Sequence, residues 1–230
     1  MRWKLIVAAA AALFGGVAIT TALIAGGAPR ASTPLSQSSR PLPSDHIVRI
    51  AQPQRTAVAT FASGCFWCTE ADFDKVPGVL STTSGFMGGH VPNPTYEQVV
   101  AGNTGHTEVV QVEYDPDVVT YEALLVVYWR NVDPFDLEGQ FCDRGSSYRP
   151  AIFAHSEEQK RAALESRAAL DSSGTLPQPI RVPVETASDF TAADARHQDF
   201  YKTNPFHYFR YRLGCGRDQR LREIWGTVGN

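Results

Sequence analysis

The sequence predicts an α+β domain of short strands and helices in mixed order, on three observations. Short apolar or alternating segments end repeatedly at Gly, Pro, Asn or Asp turns, which is how strands are punctuated. Two other stretches open on helix-capping residues, one of them with apolar side chains at i, i+3, i+4 and i+7. The segments do not alternate as regular βαβ units, which argues against a doubly wound sheet, and no internal repeat is visible.

Thr56 to Ala62 reads as a short buried strand that ends at Ser63-Gly64. Phe66 to about Lys75 follows as a helix closed by Pro77-Gly78, and Val79 to Phe86 as a second strand. Gly88, Gly89, Pro92, Asn93 and Pro94 make a loop. Glu108 to Tyr114 alternates as a strand and turns at Asp115-Pro116. Thr120 caps a helix carrying Tyr121, Leu124, Leu125 and Tyr128 on one face; Ser156 opens another, with Gln159 completing a capping box. Pro183 interrupts Ile180 to Glu185 and places that strand at a sheet edge. Thr191 to Tyr201 reads as a last helix, stopped by Asn204-Pro205.

The chain has 230 residues, 43% apolar and 10% aromatic, enough to bury a core and too few for a multidomain machine. A net charge of −3 gives no footprint for nucleic acid. The first forty residues hold Arg2, Lys4, Arg30 and Arg40 and no acid, so the remainder carries a formal −7. Arg2 and Lys4 precede an uncharged run from Leu5 to Gly27, the pattern of an export signal that is also long enough to span a bilayer. Residues 1–30 are therefore expected to be a signal peptide or an N-terminal membrane anchor, and 31–54, rich in Ser and Pro, a flexible linker. The folded domain spans 55–230 on this reading and faces a periplasmic or other extracytoplasmic compartment.

Gly64-Cys65-Phe66-Trp67-Cys68 is the sharpest local feature. The glycine turns the chain out of the strand, and Cys65 lands at the first turn of a helix. Unpaired N–H groups and the helix dipole favour a thiolate there, so an accessible, low-pKa nucleophile is expected. Phe66 and Trp67 are expected to sit exposed beside it. The alternative is a pair of buried structural cysteines.

Along Glu108–Tyr114, positions 108, 110, 112 and 114 share one face, and that face is Glu, Val, Val, Tyr. Glu108 on this apolar face would be held protonated by desolvation, fit for a general acid; the alternative is a carboxylate at a frayed strand end, open to water. Tyr96 and Tyr148 sit in or beside polar, turn-rich segments, where a phenol can donate to an oxygen held near a thiolate, though packing alone also explains them.

These residues resemble the type A peptide methionine sulfoxide reductases over roughly Thr56 to Trp225. The matching segments are Gly-Cys-Phe-Trp (64–67), Gly-Phe-Met-Gly-Gly (85–89), Asn-Pro-Thr-Tyr-Glu (93–97), Gly-His-Thr-Glu (105–108), Tyr-Asp-Pro (114–116) and Asp-Arg-Gly-Ser-Ser-Tyr-Arg (143–149). They occur in the family's order. The resemblance implies a two-layer α/β sandwich with a mixed central sheet, a ferredoxin-like (α/β plait) core and a long irregular C-terminal tail. It also implies reduction of methionine S-sulfoxide, in proteins and as the free amino acid, with no cofactor or metal. In that scheme Cys65 attacks the sulfoxide sulfur and Glu108 protonates the departing oxygen. Tyr96 and Tyr148 hydrogen-bond that oxygen, with Asp143 in support. Phe66 and Trp67 hold the substrate methyl group, and His197 orients its neighbours. Cys65 becomes a sulfenic acid, and a second thiol closes a disulfide that thioredoxin or a thioredoxin-like protein reduces. A monomer is expected.

The chain departs from the family at two positions, where Cys68 stands for the usual Gly and Cys142 for the usual Asn. Family members place the resolving thiol near the C-terminus, which favours Cys215, in a glycine-flanked mobile tail; Cys68 and Cys142 are the alternatives, and Cys142 the spare. Two other functions use the same cysteines. A thioredoxin-like disulfide exchanger would use Cys65 and Cys68 but leaves Glu108 and the tyrosines unexplained. A zinc-stabilised module would need Cys65, Cys68, Cys142 and Cys215 to converge.

Overall fold

The computed structural model describes residues 55–226; the signal or anchor expected over 1–30 and the linker over 31–54 lie outside the described residues, as do 227–230. Six strands form one sheet in the order β7-β6-β1-β3-β2-β8. These are β1 (Ala57–Ala62), β2 (Val79–Met87), β3 (Thr107–Tyr114), β6 (Ala151–Ala154), β7 (Val184–Thr186) and β8 (Thr191–Ala192), with β4 (Gly139–Gln140) and β5 (Asp143–Arg144) as a separate small hairpin. The helices are α1 (Phe66–Phe73), α2 (Tyr96–Val100), α3 (Tyr121–Arg130), α4 (Glu157–Ser172), α5 (Phe200–Thr203), α6 (Pro205–Gly214) and α7 (Arg217–Trp225). The central strands β6, β1, β3 and β2 are antiparallel neighbours, whereas β6 and β7 pair in parallel, so the sheet is mixed.

Period-2 alternation decides which face of the sheet is covered. Phe61 on β1, Val110, Val112 and Tyr114 on β3 and Ile152 on β6 point to one face, against Phe73 of α1, Leu124, Leu125 and Tyr128 of α3 and Ala163 of α4. Phe61 lies between the rings of Phe73 and Tyr128, at 4.8 and 5.3 Å. The opposite face carries a smaller cluster of Ala62, Met87, Val109, Ala151 and Phe153. The α+β class predicted from the sequence is thus present, with the mixed central sheet that the resemblance implies.

Several local expectations are corrected. The helix expected over Thr191 to Tyr201 is instead β8, a 3-10 turn at Ala195–His197 and, after Asp199 at φ 51°, the short α5. The cause is Gln198, whose side chain substitutes for a strand. Its Oε1 accepts from the Ser84 N–H at 2.9 Å, and its Nε2 donates to the carbonyls of Ser84 and Ala193, both at 2.9 Å. Asn204-Pro205 starts a helix rather than stopping one, because a proline in the first turn forfeits no intrahelical bond. The C-terminal tail expected to be irregular is therefore helical through α6 and α7. Arg217 fastens it: fully buried, it donates to the Ser63 carbonyl at 2.9 Å and the Asn131 carbonyl at 2.6 Å. The edge placement expected at Pro183 holds, with β7 beginning at the next residue.

Candidate active site

β1 ends at the same edge of the sheet where β3 begins, since Phe61 pairs with Val110 in an antiparallel register. Cys65, on the turn after β1, therefore meets Glu108, at the start of β3. Gly64 makes the turn with φ +85°, and a Cβ there would lie 2.6 Å from Gln140 Cβ. Gln140 cannot give way, because its side chain is buried and bonded to Asp133 N, Asp133 O and Asp136 O. Gly64→Ala is accordingly expected to cost about 1–3 kcal/mol from backbone strain and overlap. That corresponds to a fall in Tm of several degrees, readable by calorimetry. A variant as stable as the parent would show that the turn is not constrained as described.

Cys65 occupies the N-cap of α1, and the first helical amide is already taken: Phe66 N–H donates to Glu108 Oε2 at 2.9 Å. Glu108 is 1% exposed. Desolvation raises its pKa to about 8 against the pull of the Phe66 amide, so it carries a proton at neutral pH. Of the two readings open for this residue, the frayed strand end is excluded by its burial.

The expectation of an accessible, acidified Cys65 is corrected. The thiol is 6% exposed, and burial pushes its pKa well up, outweighing the helix terminus. The hydrogen bond to Cys68 pushes the same way, while the Tyr211 hydroxyl pulls the pKa back. Cys68, one helical turn on, is lowered instead, chiefly by its hydrogen bond with Cys65 and then by the guanidiniums of Arg217 and Arg212. The hydrogen bond between the two thiols thus lowers Cys68 while it raises Cys65. Asp72, one turn further along the helix, holds Arg212 at 3.0 Å and Arg217 at 3.8 Å.

Around these thiols the structure gathers most of the residues singled out from sequence. Burial raises Tyr96 to about 12 and Tyr148 further, with the nearby charges of Glu108 and Cys65 pushing the same way, so both phenols keep their protons. Tyr96 is the first residue of α2, fixed by the capping box of Thr95 and Gln98. Phe66 is buried rather than exposed, and Trp67 is half-buried, stacked on Phe200 at 3.7 Å. His197 accepts from Trp67 Nε1 at 3.3 Å through Nδ1 and stacks on Tyr96 at 4.2 Å, so it orients both rings.

Asp143 is the exception. Its Oδ2 accepts a short hydrogen bond from the Tyr211 hydroxyl and lies 3.9 Å from Cys215 Sγ, while its Oδ1 lies 3.9 Å from Cys142 Sγ. It therefore faces the second cysteine pair as much as the first. Cys142 and Cys215 are joined in a disulfide, with Cα atoms 4.9 Å apart, which corrects the reading of Cys142 as a spare. The turn between β4 and β5 brings Cys142 against the C-terminus of α6, where Cys215 is the capping residue. Among the described residues, the group with ligand atoms close enough to share an ion is Cys142, Asp143 and Cys215, without Cys65 or Cys68. The four sulfurs thus do not converge as the zinc module requires. Tyr211, Arg212 and Arg217 are the residues that sequence reasoning missed; their positions in α6 and α7 carry no motif, only a high density of aromatic and basic side chains.

A family profile described as peptide methionine sulfoxide reductase matches residues 57–228. The chain is 48% identical over 173 residues to the peptide methionine sulfoxide reductase MsrA of Bacillus licheniformis, an alignment covering 75% of this chain and 96% of that protein. It is 51% identical over 167 residues to the protein of the same name from Ligilactobacillus salivarius, covering 73% and 96%. Among solved structures, methionine sulfoxide reductase A of Corynebacterium diphtheriae superimposes with a TM-score of 0.60 at 34% identity, over 67% of this chain and 77% of the other. Mxr1 from Saccharomyces cerevisiae in its reduced form gives 0.62 at 28% identity, over 67% and 89%.

Proposed function

The chain belongs to the peptide methionine sulfoxide reductase family, and from that premise we propose how its residues divide the work and where it acts. Its activity is the reduction of methionine sulfoxide to methionine. Cys65 is the nucleophile and Glu108 the acid. The observation that carries this assignment is the buried, protonated Glu108, hydrogen-bonded to the amide next to Cys65.

A sulfoxide oxygen lodged between Glu108 and the two phenols meets three proton-bearing groups, each able to stabilise it as it gains charge. Cys65 passes its proton along its hydrogen bond to Cys68 as it attacks the sulfoxide sulfur. Glu108 donates to the oxygen. The hydroxyl then leaves the methionine sulfur for the Cys65 sulfur as the new S–S bond breaks; methionine departs as a thioether, and Cys65 is left as the sulfenic acid. Phe66 and Trp67 supply an apolar seat for the methyl group, and His197 positions Trp67 and Tyr96. The S epimer, bound in proteins or free, is the substrate. A thioredoxin-like protein returns the electrons, and the folded domain acts as a monomer outside the cytoplasm, carried there by the basic residues and apolar run of the first thirty residues.

The test is turnover by the full chain of a peptide carrying either epimer of methionine sulfoxide, with dithiothreitol as reductant. Methionine is expected from the S epimer, with the R epimer slower by about 100-fold or more, the scale of a misplaced reacting atom. Equal rates would sink the stereochemical assignment, and no methionine from either would sink the site.

A further inference from the structure

Glu70 is a buried carboxyl that the sulfoxide chemistry does not use. It shares one face of α1 with Trp67 and Asp74, at spacings of three and four residues. α5 packs on that face. At one end Phe200 stacks on Trp67 at 3.7 Å. At the other, Asp74 accepts from the Tyr201 hydroxyl at 2.7 Å and pairs with Lys202 at 2.6 Å. Glu70, midway along the face, is 1% exposed, and its Oε2 has no hydrogen-bond partner among the described residues.

A buried carboxyl without a full set of partners tolerates the neutral form far better than the charged one. The charged groups facing Glu70 are Asp199 and Lys202 from the α5 segment and Asp74 from the end of α1. Burial, joined by the charges of Asp199 and Asp74, raises its pKa to about 7 against the pull of the Asp199 amide and Lys202.

We propose that Glu70 is a positioning residue for the seat of the substrate methyl group. Its neutral carboxyl lets α5 close on α1, and its ionisation loosens α5 and takes Phe200 off Trp67. The proposal rests on the reading of Trp67 as part of that seat. Glu70 acts through Phe200 and Trp67, not on the reacting atoms.

The folded pKa of Glu70 lies above its unfolded value of 4.5. The closed contact is therefore fully stabilised below about 4.5 and loses that stabilisation as pH rises through about 7. Chains with α5 closed bind substrate at full strength, so KM varies inversely with the closed fraction. Glu108, which titrates higher, acts on the departing oxygen and governs kcat.

The experiment measures KM and kcat of the full chain on a methionine S-sulfoxide peptide with dithiothreitol, from pH 6 to pH 9. The wild type, Glu70→Gln and Phe200→Ala are compared. Dividing the wild-type values by those of Glu70→Gln cancels what Glu108 and the reductant contribute. The KM ratio is expected to be near one at pH 6 and about ten at pH 9, while the kcat ratio stays flat. Phe200→Ala keeps the carboxyl but lacks the ring that it sets. Its KM is expected to be raised already at pH 6 and to follow the pH course of Glu70→Gln. Should Glu70→Gln not fold, the wild-type KM is expected to climb about tenfold relative to that of Phe200→Ala over the same range. A KM ratio constant across the range would overturn the proposal. So would a kcat ratio that moves with it, which would put Glu70 on the chemical step. A Phe200→Ala chain that retains the wild-type rise would overturn the route through Phe200. No methionine from the wild type at any pH would remove the reading of the site itself, and the proposal with it.

Discussion

Cys65→Ser is expected to leave no methionine formation above the uncatalysed rate, a loss of at least about 10⁴-fold, because the groups of such a site act as a unit and the remaining ones have nothing to assist. The chemistry requires a sulfur that can accept oxygen and then surrender it to a thiol; a serine hydroxyl can do neither. The fold should barely notice. Cys65 is a cap without a side-chain capping bond, so exchanging its sulfur for oxygen is expected to cost about 1 kcal/mol, from one buried hydroxyl with partners at Cys68 and Tyr211. A Tm within a few degrees of the parent, together with absent turnover, is the result that assigns the nucleophile. Retained turnover in this variant would move the attack to Cys68, the other buried thiol, and with it the thioredoxin-like exchanger considered from sequence.

The parts of this site that were legible in the sequence are those decided by short-range geometry. Period-2 alternation put Glu108 on the same face as Val110, Val112 and Tyr114, and those three do line the core beneath the helices. Ser63-Gly64 before an apolar helix placed Cys65 at a corner, and Gly64 does turn there at positive φ. What could not be read is what lies above the corner. The helix-terminus rule lowers a cysteine pKa only where water or substrate reaches it; here Tyr211 of α6 covers the thiol, and burial reverses the sign. Nothing local to residues 64–68 announces a tyrosine nearly 150 positions away. The pairing of Cys142 with Cys215 was hidden for the same reason, since 73 positions and the helices α4, α5 and α6 separate them. Gln198 misled in the opposite direction. Its neighbours carry helical pattern, yet a single amide satisfying three backbone groups of a sheet edge outweighs the propensity of that segment.

Glu108→Gln is expected to lower kcat by about 10²- to 10⁴-fold, the usual contribution of a positioned general acid, while changing the pH dependence in two separable ways. A glutamine still accepts from the Phe66 amide and fills the same space, so the corner keeps its shape and loses only the proton. In the wild type, kcat/KM should fall as pH rises through about 8, where Glu108 gives up that proton. The residual rate of the variant should show no such decline. Stability carries the same signature. The folded pKa of Glu108 lies above its unfolded value of 4.5, so the stabilisation from the buried neutral carboxyl is complete below about 4.5 and is lost as pH climbs through about 8. At about 1.4 kcal/mol per pKa unit this amounts to a penalty on the order of 5 kcal/mol at alkaline pH, which the glutamine does not incur. The variant should therefore melt below or near the parent at pH 5 and above it at pH 9. Parallel melting curves across that range would mean that Glu108 is ionised and solvated after all. The proton for the departing oxygen would then have to come from Tyr96 or Tyr148, whose own raised pKa values make them poorer acids than a buried carboxyl.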